Sequence, residues 1–157
     1  MINRKSFIVG VKSTKLSLRE KNFLKKYRPW GVILFSRNIN NIDQAKKLTF
    51  SIRKIFNDPN YPILIDQEGG RVNRLKKIIS FDNLTAEFFG KKFSKNHLEF
   101  KIFFKLFIDK TSFLLKSIGV NINTMPVLDL KIKGSSNVIG DRSCLLYTSD
   151  AADDDAC

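Results

Sequence analysis

The chain has 157 residues, 43% of them hydrophobic, with 28 Lys and Arg against 15 Asp and Glu. That length accommodates one domain with its own core, and the net charge of +13 raises nucleic acid or an anionic surface as partners. The lysines are scattered through every segment, with no run of five like charges and no glycine-aromatic RNA-binding pattern, so they read as a solvated surface.

The apolar stretch Phe100–Leu115 carries Lys101, Lys105, Asp109 and Lys110, which excludes a bilayer span. Phe7–Val11 is too short for the apolar core of a secretory signal. Both cysteines, Cys144 and Cys157, lie near the end. They suggest neither a disulfide framework nor a metal site, and the default compartment is the cytoplasm.

In chain order, Phe7–Val11 is predicted as a buried strand. Ser17-Leu18-Arg19-Glu20 has the form of a capping box, and the helix it opens is expected to bury Leu16, Leu18, Phe23 and Leu24 before Pro29 stops it. Gly31–Phe35 is a second strand, ending at Ser36-Arg37-Asn38. The same grammar repeats with a cap at Asn41-Ile42-Asp43-Gln44 and a helical stripe of Ile42, Ala45, Leu48, Ile52 and Ile55-Phe56. After the breaker Asn57-Asp58-Pro59-Asn60, the third strand runs over Pro62–Asp66. Residues 67–95 read as a long loop with little periodicity, a length that is usually functional. Asn96-His97-Leu98-Glu99 caps a third helix, expected to run to Ser117 and stop at Gly119, with Phe100, Phe103, Phe104, Phe107 and Leu114 as core. Val120–Met125 is the fourth strand.

Four strand–helix alternations predict a parallel α/β sheet with right-handed crossovers. Two architectures fit, an open doubly wound sheet or the first half of a (β/α)8 barrel. The first strand has no glycine-rich phosphate turn, which counts against a nucleotide-binding Rossmann domain.

The last 14 residues break this pattern. They hold both cysteines, three of the five alanines, four of the fifteen acids and no Lys or Arg. Residues 1–143 are therefore read as the domain, and 144–157 as a foreign or disordered tail with the look of translated sequencing read-through.

The stretch with most chemistry is Ile63-Leu64-Ile65-Asp66-Gln67-Glu68-Gly69-Gly70-Arg71-Val72-Asn73-Arg74. A buried parallel strand that stops at Asp66 puts a carboxylate at its C-terminal end, where α/β proteins bind ligands, and the glycines turn the backbone. The alternative is a strand end with solvated charges and a local Glu68–Arg71 pair.

Four stretches in order resemble glycoside hydrolase family 3: Gly31–Asn38, Asp66–Arg74, Met125-Pro126-Val127-Leu128-Asp129 and Val138-Ile139-Gly140-Asp141-Arg142-Ser143. The likeness is to the bacterial β-N-acetylglucosaminidase branch of peptidoglycan recycling, and it covers residues 1 to 143. It implies the barrel over the open sheet. It also implies that Asp66, Arg74 and Arg142 bind substrate sugar, as acceptor and fork donors for hydroxyls. Glu68 and Arg71 are read as loop braces and Asp129 as a supporting group. Arg142 is followed by Ser143-Cys144, where the family has an aromatic.

The family's Lys-His-Phe-Pro-Gly-His-Gly-like stretch, its Asp–His proton-transfer pair and its nucleophilic aspartate have no counterpart. This chain is thus expected to carry no catalytic residue, and His97 to serve only at a helix start. The resemblance implies cell-wall sugars containing N-acetylglucosamine as ligand and a monomeric full-length enzyme. It implies no cofactor, metal, nucleic acid or membrane partner. Rival readings are a non-catalytic carbohydrate-binding protein and a basic nucleic-acid-binding domain.

Overall fold

The computed structural model describes residues 4–127, 129–131, 138–143 and 145–146. Strands β1 (Lys5–Gly10), β2 (Pro29–Leu34), β3 (Ile63–Ile65) and β4 (Ile122–Asn123) form one sheet in the order β1-β2-β3-β4, and every neighbouring pair is parallel. A doubly wound sheet reverses its strand order at a switch point; this one winds in a single direction. The chain therefore forms the N-terminal half of a (β/α)8 barrel rather than an open Rossmann-like sheet.

The crossovers are α1 (Leu18–Tyr27), α2 (Ile42–Phe56), and α3 (Ala86–Lys95) followed by α4 (His97–Ser117). Val32, Leu34, Ile63 and Ile65 are fully buried and share one core cluster with Leu24, Leu48, Ile52, Phe107 and Leu114. Alternate strand residues point to opposite faces. The odd-numbered Ile33, and then Phe35 just past β2, therefore share the other face with Leu64 and Asp66.

The capping box of α1 is present in full, with Ser17 Oγ accepting from Glu20 N–H and Glu20 accepting from Ser17 N–H at 2.8 Å. Burial raises the Glu20 pKa, but the backbone N–H of Lys12 and the Ser17 hydroxyl and N–H outweigh it and hold the carboxyl below its usual range. At α2 the box is only half built: Asn41 Oδ1 accepts from Gln44 N–H, while Gln44 Oε1 takes the N–H of Asn40. Gly119 follows α4 with φ +79, the left-handed stop its sequence predicts.

Four expectations are corrected. The strand expected to be buried at Phe7–Val11 is β1, at the edge of the sheet, with Phe7 and Ile8 exposed and only Val11 beyond it buried. The 67–95 stretch contains a helix, α3, capped by Thr85 Oγ1 accepting from Phe88 N–H. It is stabilised by rings that meet only in the fold, Phe89 lying 5.0 Å from Phe104 and 5.1 Å from Phe107. In α1 only Leu24 is buried; Leu18 is 75% exposed and Phe23 is exposed too, because its apolar positions wrap around the helix rather than forming one stripe. Phe103 is exposed and lies beneath the Lys92 ammonium at 4.6 Å, outside the core cluster.

Beyond the sheet, β5 (Leu130–Lys131) pairs in parallel with β6 (Leu145–Leu146). The expected tail at 144–157 otherwise lies outside the described residues. Among those described, no helix is long and apolar enough to cross a membrane.

Candidate functional site

The site grows from the end of β3. Strand register pairs Leu64 with Ile122 and Ile65 with Asn123, which sets Asp66 beside Thr124. The Thr124 hydroxyl donates to Asp66 Oδ1 at 2.7 Å, and Arg74 Nη2 lies 3.5 Å from Asp66 Oδ2. The Asp66 side chain keeps 27% of its surface exposed and that of Arg74 25%. A carboxylate offers about four acceptor positions, so after these two contacts Asp66 retains capacity toward solvent.

The turn carrying Arg74 is fixed by amides. Gln67 is fully buried, and its Oε1 accepts the N–H of both Arg74 and Leu75 at 2.9 and 3.0 Å. Asn123 extends the β3–β4 ladder with its side chain, Oδ1 accepting from Gln67 N–H and Nδ2 donating to Gln67 O. Asn73, also buried, ties the turn forward through Nδ2 to Ile79 O at 3.1 Å.

Two guanidiniums face the ring of Phe35, Arg37 at 4.5 Å and Arg74 at 5.5 Å from its centroid, a favourable contact with the ring's negative face. Gly10 leaves space there: a Cβ at that position would stand 3.2 Å from both Arg37 Nη2 and Phe35 Cε2.

The second charged pair is Arg142 and Glu68. Arg142 Nε and Nη2 donate to the two oxygens of Glu68, each at 2.8 Å. These bonds raise the Arg142 pKa above its ordinary value against the opposing effect of burial, and the nearby charges of Glu68, Asp129 and Asp66 add to it. Arg71 braces the same segment, its Nε donating to Asp141 Oδ1 at 2.8 Å and its Nη2 to the carbonyls of Val138 and Ile139. The local Glu68–Arg71 pairing allowed by the sequence is replaced by two clamps between loops.

Of the three residues expected to bind sugar, Asp66 and Arg74 meet directly. Arg142 contacts Glu68 rather than Asp66, whose charge adds only the smallest of the contributions that raise the Arg142 pKa. His97 is exposed at the start of α4, stacked on Phe93 at 4.1 Å. Thr124, Gln67, Asn123 and Phe35 were not singled out from the sequence. For Thr124 the usable signal was its place at the end of the strand adjoining β3; for the other three the contacts are purely tertiary.

Beside the clamps lies a cavity of about 560 Å³, with Glu68, Asp141 and Arg142 at its polar side and Phe89, Phe104 and Met125 among its apolar lining. Among the described residues no group of three or more His, Cys, Asp or Glu is placed to hold a metal ion. The arrangement can hold a polar, hydroxyl-rich ligand by a paired carboxylate and flanking guanidiniums.

No family model matches the chain. Curated relatives do: a β-hexosaminidase of Thioalkalivibrio sulfidiphilus is 33% identical over 137 residues, 87% of this chain and 38% of that protein. The solved structure of native NagZ from Neisseria gonorrhoeae superposes with a TM-score of 0.79 at 29% identity, covering 92% of this chain and 41% of that one. The same Neisseria enzyme in complex with N-trifluoroacetyl-D-glucosamine gives a TM-score of 0.69 at 28% identity, covering 92% and 42%. The chain spans about two-fifths of the length of these proteins.

Proposed function

We propose that this chain belongs with the β-hexosaminidases of glycoside hydrolase family 3 that it resembles, and that it is the sugar-binding first part of an enzyme that releases terminal, non-reducing β-linked N-acetylglucosamine from peptidoglycan fragments. Asp66 accepts hydrogen bonds from sugar hydroxyls, Arg74 orients Asp66 and donates beside it, and Arg142 completes the charged rim from its fork on Glu68. The parent enzyme works in the cytoplasm as a monomer without metal or cofactor, on cell-wall sugars and not on nucleic acid or membrane. It retains configuration through a glycosyl-aspartate intermediate, which requires a nucleophile and a proton donor about 5 Å apart. On this reading those groups lie outside the residues of this chain, and the chain alone is inactive.

The observation that supports this reading is Asp66 at the C-terminal end of β3, held by Thr124 and Arg74 with part of its carboxylate open to solvent. The test has two arms. N-acetylglucosamine titrated into the chain should bind weakly, and Asp66→Ala should abolish that binding with the fold intact. Incubation with a chromogenic β-N-acetylglucosaminide should release nothing. Binding unaffected by Asp66→Ala would remove the carboxylate from the sugar site, and hydrolysis by the purified chain would overturn the assignment of catalysis to an absent part.

A further inference from the structure

A second concavity, of about 900 Å³, lies between the first turns of α1 and α2 and the loop after β3. Its lining includes Lys15, Lys21, Lys47 and Lys77, with Asp43 as its one carboxylate. Among the described residues, Lys15, Lys21 and Lys47 form no salt bridge, and Lys77 donates only to the neutral amide oxygen of Asn40 at 2.6 Å. Four exposed lysines thus border one open volume with a single carboxylate among them, which gives it a positive local potential that an anion would meet. On a scattered lysine-rich surface such convergence is not required by solubility.

The walls are also built in advance. The buried Asn38 donates through Nδ2 to the carbonyls of Val11 and Ser13 at 3.0 and 2.9 Å. Gln44 Nε2 donates to Thr14 O and Asn38 O at 2.8 and 3.1 Å. These bonds pin the loop that carries Lys15 against the start of α2, so the lysine stems project from a fixed frame. The groove opens at the strands' C-terminal end, the end that carries Asp66, yet it contains none of the sugar-site residues.

We propose that this groove is a binding site for a small multiply charged anion, one bearing two or more phosphate or carboxylate groups. A strongly charged, partly enclosed site of this size suits a compact ligand whose several negative groups can each meet a lysine. A ligand that binds the folded groove and not the unfolded chain also stabilises the fold. The proposal stands independently of the sugar-site reading.

The experiment is a titration of the isotope-labelled full chain with pyrophosphate and, separately, with citrate at low ionic strength, followed by amide NMR shifts. Saturable shifts confined to residues 14–21, 40–51 and 77–78 are expected, with a rise in melting temperature. Lys15→Glu/Lys47→Glu should weaken binding by about tenfold or more, whereas Lys110→Glu, on α4 away from the groove, should leave it within about twofold. Tighter binding of pyrophosphate assigns the ligand to phosphates, and tighter binding of citrate to carboxylates. Shifts spread over the whole surface, absence of saturation, or equal weakening by Lys110→Glu would overturn the proposal in favour of general attraction to a basic protein. The melting transition of each variant checks that it is folded, so lost binding is not lost structure.

Discussion

Arg142 and Glu68 stand 74 positions apart in sequence and meet in a two-bond fork, Nε to Oε2 and Nη2 to Oε1, both at 2.8 Å. Only 11% of the Glu68 side chain and 26% of the Arg142 side chain remain accessible, and together with the Arg71 bonds the fork ties the turn after β3 to the segment before Ser143. Removing one partner leaves a charge short of bonds where water reaches it poorly. Arg142→Ala is expected to lower stability by about 1–3 kcal/mol, less than for a fully buried pair because Arg142 stays partly solvated. Arg142→Lys, a point charge in place of a planar fork, should recover only part of the loss. Chemical denaturation of the three proteins measures this, and equal midpoints would show that the fork carries no net stability.

Thr124 is expected to set the orientation of Asp66 through its 2.7 Å bond. Thr124→Val keeps the shape and deletes the donor, at about 1 kcal/mol for the lost bond. The expected readout is N-acetylglucosamine binding weakened severalfold, with Thr124→Ser close to the parent chain. Equal affinity for the Val and Ser variants would show that Arg74 alone suffices to hold the carboxylate.

Gly69 has φ +93, and a Cβ there would lie 2.1 Å from Leu84 O. Both backbone strain and a clash with main chain oppose any side chain. Gly69→Ala is expected to cost roughly 2 kcal/mol or more and to loosen the turn that carries Arg74. A thermal melt no lower than that of the parent chain would contradict this.

Tyr61 links alkaline pH to stability. It is fully buried, its hydroxyl donates to Pro29 O at 2.8 Å, and its ring stacks on Phe56 at 3.9 Å. Burial pushes its pKa up to about 12, against the pull of Arg4 and Arg28. The unfolded chain releases this proton near pH 10, so folding favours the neutral phenol. Its contribution is whole below about pH 10 and is lost as pH rises from there through about 12, by about 2–3 kcal/mol in total. Denaturation midpoints against pH should fall over that window, and Tyr61→Phe should flatten the fall while lowering the plateau. A tyrosinate absorbance titration with all tyrosines near pH 10 would disprove the shift.

The sequence by itself determined the local grammar. Ser17 and Glu20 close the α1 cap and Asn41 caps α2, because such bonds need only three or four consecutive residues. The continuous apolar runs at Val32-Ile33 and Ile63-Leu64-Ile65 mark buried parallel strands, and Asp66 was legible as a strand-end carboxylate for the same reason. Tertiary structure alone decided what lies far apart in the chain. The consecutive strand order that separates half-barrel from doubly wound sheet depends on which strands hydrogen-bond. The Phe89–Phe104–Phe107 contacts that turn part of an apparent loop into α3 unite two helices. Glu68 chose Arg142 over its neighbour Arg71, and Thr124 reached Asp66, because backbone folding at Gly69 and Gly70 and the β3–β4 register brought those partners within bonding distance. Short-range pattern records the cost of each local choice; partner identity at long range is fixed only when the whole sheet sets the distances.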